Sequence, residues 1–278
     1  MADNTAFASP PPGCPSFELS FPAPFVLLVT INREAAMNSI PMAGHWEGDA
    51  LWKWFDREPQ LRVAVVTGKG KKAFCAGADL MEQRQKKADG AATNQTLPSG
   101  GFMGLSRRVG KKPVIAAVNG YALGGGFEIA LNCDLVIASP TAQLGLPEVK
   151  RGLYAGAGGL PRVVRTFGMQ LAGEMALAGR TFSAAELKQY GALRVASSPE
   201  SLISEALQLA GELASMSPDA IIVSRAGLRE AWETGSVERA AQLTDEKYNA
   251  ALLAGDNVRI GLEAFAKKQK PVWVPSQL

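Results

Sequence analysis

Histidine is almost missing from this chain: His45 is the only one among 278 residues. That count excludes a metal site with two histidine ligands, and a Ser/His/Asp triad could be built only around His45. Cysteine is scarce as well. Cys14, Cys75 and Cys133 are odd in number and widely spaced, which argues against a disulfide framework and for a reducing compartment. No apolar run approaches the roughly 20 residues needed to cross a bilayer, since FVLLVTI at 25–31 stops at Asn32 and Arg33. A dominant charge sign is lacking too. The 29 Lys and Arg residues face 26 Asp and Glu, a net charge of +3, so neither a nucleic-acid partner nor a membrane partner is expected. The first 16 residues carry Asp3 and no Lys or Arg, unlike a secretory signal or an Arg-rich transit peptide, and read as a flexible, proline-rich lead-in.

What is present is an ordinary globular composition, 47% hydrophobic and 20% charged, enough for one large core with or without a small appendage. FELSF (17–21) and FVLLVTI (25–31), separated by Pro22 and Pro24, predict an opening hairpin or two adjacent strands. Trp46, Ala50, Leu51 and Trp54 recur at helical spacing over about 42–55 and put His45 near the start of an amphipathic helix, as an exposed or capping residue. VAVVTG (63–68) and VIAAVNG (114–120) are continuous apolar strands ended by glycine, and LGGGFEIALNCDLVIAS (123–139) reads as turn, helix, strand. Buried strands joined by helices predict an α/β core over 17–200. Residues 84–104, rich in small and polar side chains, read as a mobile loop. From 201 to 278 the apolar stripes fall at helical spacing, which predicts a helical C-terminal region.

Two places carry the marks of chemistry. Gly124, Gly125 and Gly126 precede a helix whose first turn holds Glu128; such a turn admits a ligand close to the backbone and aims free N–H groups at an anion. The run is equally consistent with an ordinary tight turn, and it completes no nucleotide-binding fingerprint. KKAFCAGADL (71–80) again places small residues where a strand ends, so two loops can offer converging N–H donors, the geometry of an oxyanion hole. Glu128 in FEIAL and Glu148 in LGLPEV have apolar neighbours, a setting that raises a carboxylic acid's pKa and suits acid/base work near neutrality. The alternative is two solvated carboxylates. Lys69, Lys71 and Lys72 form a basic cluster that reads as a solvated face or as a rim for an anionic ligand.

Taken together, AFCAGADL, PVIAAVNGYALGGGFEIALNCDLVIAS, AQLGLPEVKRGLYAGAGGLPR and GLEAFAKKQKPVW resemble the crotonase (enoyl-CoA hydratase/isomerase) superfamily, in that family's order and over about residues 17–275. The resemblance implies an α/β fold, a spiral of ββα repeats with a C-terminal helical trimerisation region, and assembly as a homotrimer or a dimer of trimers. It implies an acyl-CoA thioester substrate and no cofactor or metal, CoA being part of the substrate. By position, Ala78 and Gly125 would supply the oxyanion-hole N–H groups. Ala76, Ala78, Asp79, Leu80 and Met81 would line the CoA, with Phe265 and Lys268 reaching it from a C-terminal helix. Met81 replaces the lysine frequent there in hydratases. Glu128 and Glu148 would be the two acid/base carboxylates of the hydratase branch, acting on the double bond next to the thioester as in fatty-acid β-oxidation. Retention of both favours hydration over double-bond isomerisation and over a noncatalytic acyl-CoA-binding or RNA-associated role. Ser276-Gln277-Leu278 resembles the peroxisomal address S-K-L.

Overall fold

A computed structural model describes residues 7–89 and 96–278. The chain opens with β1 (Phe17–Ala23) and β2 (Val26–Ile31), which pair antiparallel across the proline-bounded turn. Helix α1 (Met42–Arg57) follows, turning Leu51, Trp52, Trp54 and Phe55 into the core. Next come β3 (Val63–Gly68), β4 (Ala73–Cys75) and α2 (Leu80–Ala88), then β5 (Val114–Val118), β6 (Tyr121–Leu123) and α3 (Gly125–Asn132). The third unit is β7 (Leu135–Ala138), β8 (Gln143–Gly145) and α4 (Gly159–Ala176). Each unit is strand, strand, helix. That repetition winds the chain as a spiral.

The first strands of the units join one sheet and the second strands another. β9 (Thr181–Ser183), α5 (Ala184–Lys188) and β10 (Arg194–Val195) close the two sheets, in the orders β1-β2-β3-β5-β7-β10 and β4-β6-β8-β9. β3 and β5 are buried along their whole lengths, which is why their sequences are unbroken apolar runs rather than alternating ones. One core fills the space between the sheets. A second, smaller core lies where α6 (Leu202–Ala214) lays Leu202, Ala206, Ala210 and Ala214 against Val63, Val65, Ile115 and Ile137 on the outer face of the large sheet. Helices α7 (Pro218–Glu233), α8 (Val237–Ala254) and α9 (Asp256–Ala266) complete the helical C-terminal region.

Two local expectations are corrected. His45 does lie in the first turns of α1, but it is only 3% exposed, neither solvated nor a cap. Its ring stacks on Phe102 at 4.5 Å and its Nδ1 accepts the Met103 N–H, so tertiary packing rather than helix position fixes it. The segment 84–104 is not one loop. Helix α2 runs on to Ala88 because Asp79 caps it, its carboxylate accepting from Met81 and Glu82 N–H, while the Lys86 ammonium pairs with Glu82 one turn back. Residues 90–95 lie outside the described residues, and Phe102–Gly104 form a tight 3-10 turn pressed against α1, where the Trp52 indole donates to the Met103 carbonyl. Among the described residues no helix is long and apolar enough to cross a membrane.

Candidate active site

The two glycine-bearing loops follow β4 and β6, which are parallel neighbours in the small sheet, so their ends emerge side by side. Gly77 shows how close they come. A Cβ at its position (φ +97°) would stand 3.0 Å from the Leu123 carbonyl and 3.5 Å from the Gly125 nitrogen. The Ala78 bridge to Ile40 is made through Gly77 O and Asp79 N, so the Ala78 N–H itself is not consumed in it. Gly125 is the first residue of α3, and an N–H there has no partner inside its own helix. Two backbone donors on adjoining loops, one at the positive end of a helix, are the kind of pair that can hold an oxygen acquiring charge.

Helix α3 then buries the next functional side chain. Glu128 is 3% exposed, and its Oε1 accepts the Gly159 N–H at 2.7 Å, a bond from the first residue of α4 to a carboxylate 31 residues earlier. A Cβ on Gly159 would fall 2.7 Å from the Glu128 Cγ, so only glycine lets the two helices meet here. Burial pushes the Glu128 carboxyl up to about 7; the Glu148 charge works in the same direction, while the Gly159 bond and Arg162 oppose it.

Glu148 opens the short turn Glu148–Arg151 after β8 and reaches back over the glycine loop. Its Oε1 lies 3.0 Å from where a Cβ on Gly124 would be, and Gly124 has φ +55°, a conformation glycine adopts at no steric cost. Among the described residues its Oε2 is buried with no hydrogen-bond partner, and burial raises this carboxyl too. An orphaned carboxylate oxygen is costly unless something else is to occupy the space beside it. Here it stands over the glycine loop and close enough to a second buried carboxylate for its charge to be felt there, an arrangement suited to proton transfer.

The family profile of enoyl-CoA hydratase/isomerase matches residues 24–276. The chain belongs to that family. It is 49% identical to the mevalonyl-coenzyme A hydratase of Beauveria bassiana over 279 aligned residues, 98% of this chain and 99% of that one. It is 47% identical to the mevalonyl-coenzyme A hydratase of Aspergillus fumigatus over 94% of this chain and 95% of that one. The crystal structure of an enoyl-CoA hydratase from Bacillus anthracis superimposes with a TM-score of 0.83 at 30% identity, covering 94% of this chain and all of that one. The ββα spiral is therefore the fold of this hydratase/isomerase family, and the chain is a hydro-lyase of CoA thioesters.

Among the residues singled out from sequence, the fold gathers Ala76, Ala78, Gly125, Glu128 and Glu148 at one place. Asp79 is committed elsewhere: besides capping α2 it pairs with the Arg33 guanidinium at 2.9 Å. Leu80 and Met81 are exposed on the first turn of α2, on the rim of the loop. Phe265 and Lys268, at the end of α9, are exposed, and no hydrogen bond joins them to this cluster among the described residues. Phe102 escaped the sequence reading. Its ring would lie 2.6 Å from a Cβ on Gly125, so it forms the wall behind the glycine loop, and nothing in SGGFMGL distinguishes it from any other loop aromatic. Gly159 was visible as part of the glycine-rich GAGGLPR, but its bond to Glu128 was not.

Proposed function

We propose that this enzyme interconverts a mevalonyl-CoA thioester and its dehydrated enoyl-CoA, with Glu148 and Glu128 as the acid/base pair. The carrying observation for the substrate is near half identity over almost the full length of two proteins named for that activity. A mevalonyl thioester has a hydroxyl on the carbon β to the carbonyl, a methyl branch there, and a second hydroxyl at its far end.

In the hydration direction the thioester oxygen rests on the Ala78 and Gly125 N–H groups. Glu128, ionised in part at neutral pH, holds water and takes its proton as the oxygen attacks the β-carbon. Electron density moves onto the thioester oxygen, and Glu148, whose burial favours the protonated form, delivers a proton to the α-carbon. Dehydration runs the same steps backwards. Ala76, Ala78, Leu80 and Met81 line the CoA, with Asp79 holding their loop by capping α2 and pairing with Arg33, aided by Phe265 and Lys268, and no cofactor or metal takes part beyond the CoA of the substrate. Exposed apolar side chains on α7 and α9, among them Leu228, Leu262 and Phe265, support a homotrimer or a dimer of trimers. In the fold Ser276 donates to the Asp219 carboxylate and Lys111 to the Leu278 carbonyl.

The test is turnover of mevalonyl-CoA and crotonyl-CoA by the purified protein, followed through the absorbance of the conjugated thioester. Mevalonyl-CoA is expected to be preferred, and Glu128→Gln and Glu148→Gln each to lose about 10²–10⁴-fold in kcat. Preference for crotonyl-CoA would overturn the substrate, and full activity in either variant would overturn the acid/base pair.

A further inference from the structure

One peptide group near the acid/base pair is engaged at both ends. The amide joining Gly158 to Gly159 donates its N–H to Glu128 Oε1 at 2.7 Å, and its carbonyl oxygen accepts from Arg162 Nη1 at 2.9 Å. Arg162 does not swing freely. Its Nε donates to Asn132 Oδ1 at 2.9 Å, and Asn132 is itself buried at the end of α3, with its Nδ2 donating to the Leu105 carbonyl at 2.6 Å and to the Arg108 carbonyl at 3.0 Å. Arg229 Nη1 from α7 reaches the same Asn132 oxygen at 3.2 Å. The guanidinium is thus fixed at the carbonyl end of the very amide whose other end holds the carboxylate.

We propose that Arg162 is a positioning residue for Glu128, acting through the Gly158–Gly159 peptide rather than by touching substrate. A cation at a carbonyl oxygen draws electron density through the amide and leaves its N–H a stronger donor, as hydrogen bonds in series polarise one another. Gly159 begins α4, so the helix dipole adds to the same effect. The relay opposes the burial that holds Glu128 in its protonated form, and it keeps the carboxylate's Oε1 turned toward α4. The other charges disposed around Glu128 are Glu148, from the turn after β8, which disfavours ionisation, and Arg107, which packs beside Gly158 and faces Arg162. Glu233 of α7 acts on Arg162 from its far side.

The kinetic part of the test rests on the acid/base reading above; a spectroscopic part does not. Infrared difference titration of the carboxyl region, with Glu128→Gln identifying the Glu128 band, reads that group's ionisation whether or not it is catalytic. In Arg162→Gln the Glu128 transition is expected to move to higher pH by about half a unit to one unit, the scale of losing one nearby charge. The acid limb of kcat/KM for hydration should move with it, giving a roughly three- to tenfold loss on that limb and little change on the alkaline plateau. Arg162→Lys keeps the charge but cannot bond Asn132 and Gly158 together; it should shift less, and it carries the test if Arg162→Gln does not fold. An unmoved Glu128 band in the folded variant overturns the proposal. A moved band with an unmoved pH profile upholds the coupling of Arg162 to Glu128 and overturns Glu128 as the titrating base, and a band fully restored by Arg162→Lys overturns the peptide relay in favour of charge alone.

Discussion

At the scale of single residues, the fold buries two ionisable groups where their neutral forms are favoured. Glu128 and His45 are both nearly inaccessible, and burial shifts them in opposite directions, Glu128 up to about 7 and His45 down to about 4. For Glu128 the folded value exceeds the unfolded one, so its contribution to stability is complete below about pH 4.5 and is lost as pH rises through 7. For His45 the folded value is depressed, so stability is complete above about 6.5 and declines as pH falls toward 4. Comparing Glu128→Gln with the parent at one pH cancels the histidine. The glutamine variant should gain over the parent by roughly 2 kcal/mol more at pH 8 than at pH 5, measured by urea unfolding at fixed protein concentration. A difference independent of pH would mean that Glu128 is already ionised in the folded protein across that range, as it is in the unfolded chain, so that burial does not raise it.

At the scale of elements, the site depends on how α3 is held between its neighbours. Its first turn faces β4 and the glycine loop; its last turn ends at Asn132, and the next strand is entered through Asp134. Asp134 accepts the Val114 N–H at the start of β5 and pairs with Arg225 and Arg229 of α7, which fastens the C-terminal helices to the strand carrying the spiral. Arg225 is 5% exposed, so removing its partner strands a buried cation. Asp134→Ala is therefore expected to destabilise the protein by about 3–5 kcal/mol, read from chemical denaturation, and Asp134→Asn by less. A loss under about 1 kcal/mol would show that Asp56, on the Arg108 side of the same charge cluster, carries the balance alone.

At the scale of the whole molecule, helices α7 to α9 form a shell that is only partly covered. Leu228 is 75% exposed, Leu262 67% and Phe265 87%. Assembly through this shell would cover it. Sedimentation equilibrium is expected to give three or six times the chain's 29.3 kDa, with Leu262→Glu together with Phe265→Glu lowering that mass. A monomer at micromolar concentration would overturn assembly through this shell.

The repeating architecture could be read from the chain because it depends on patterns that are local: unbroken apolar runs for β3 and β5, helical stripes in the C-terminal third, and glycines where β4 and β6 end. The glycine loops and the two glutamates that flank them stand out in the sequence for the same reason. What only the tertiary structure decided are contacts between distant segments. Met103 turned a lone helical histidine into a buried acceptor 58 residues away; Gly159 supplied the hydrogen bond that Glu128 needs; Glu148 acquired an oxygen with no partner. Asp79 likewise proved to be a helix cap and an ion-pair partner. Burial and hydrogen-bond satisfaction are properties of the packed chain, and they set a carboxyl's ionisation far more strongly than its sequence neighbours can.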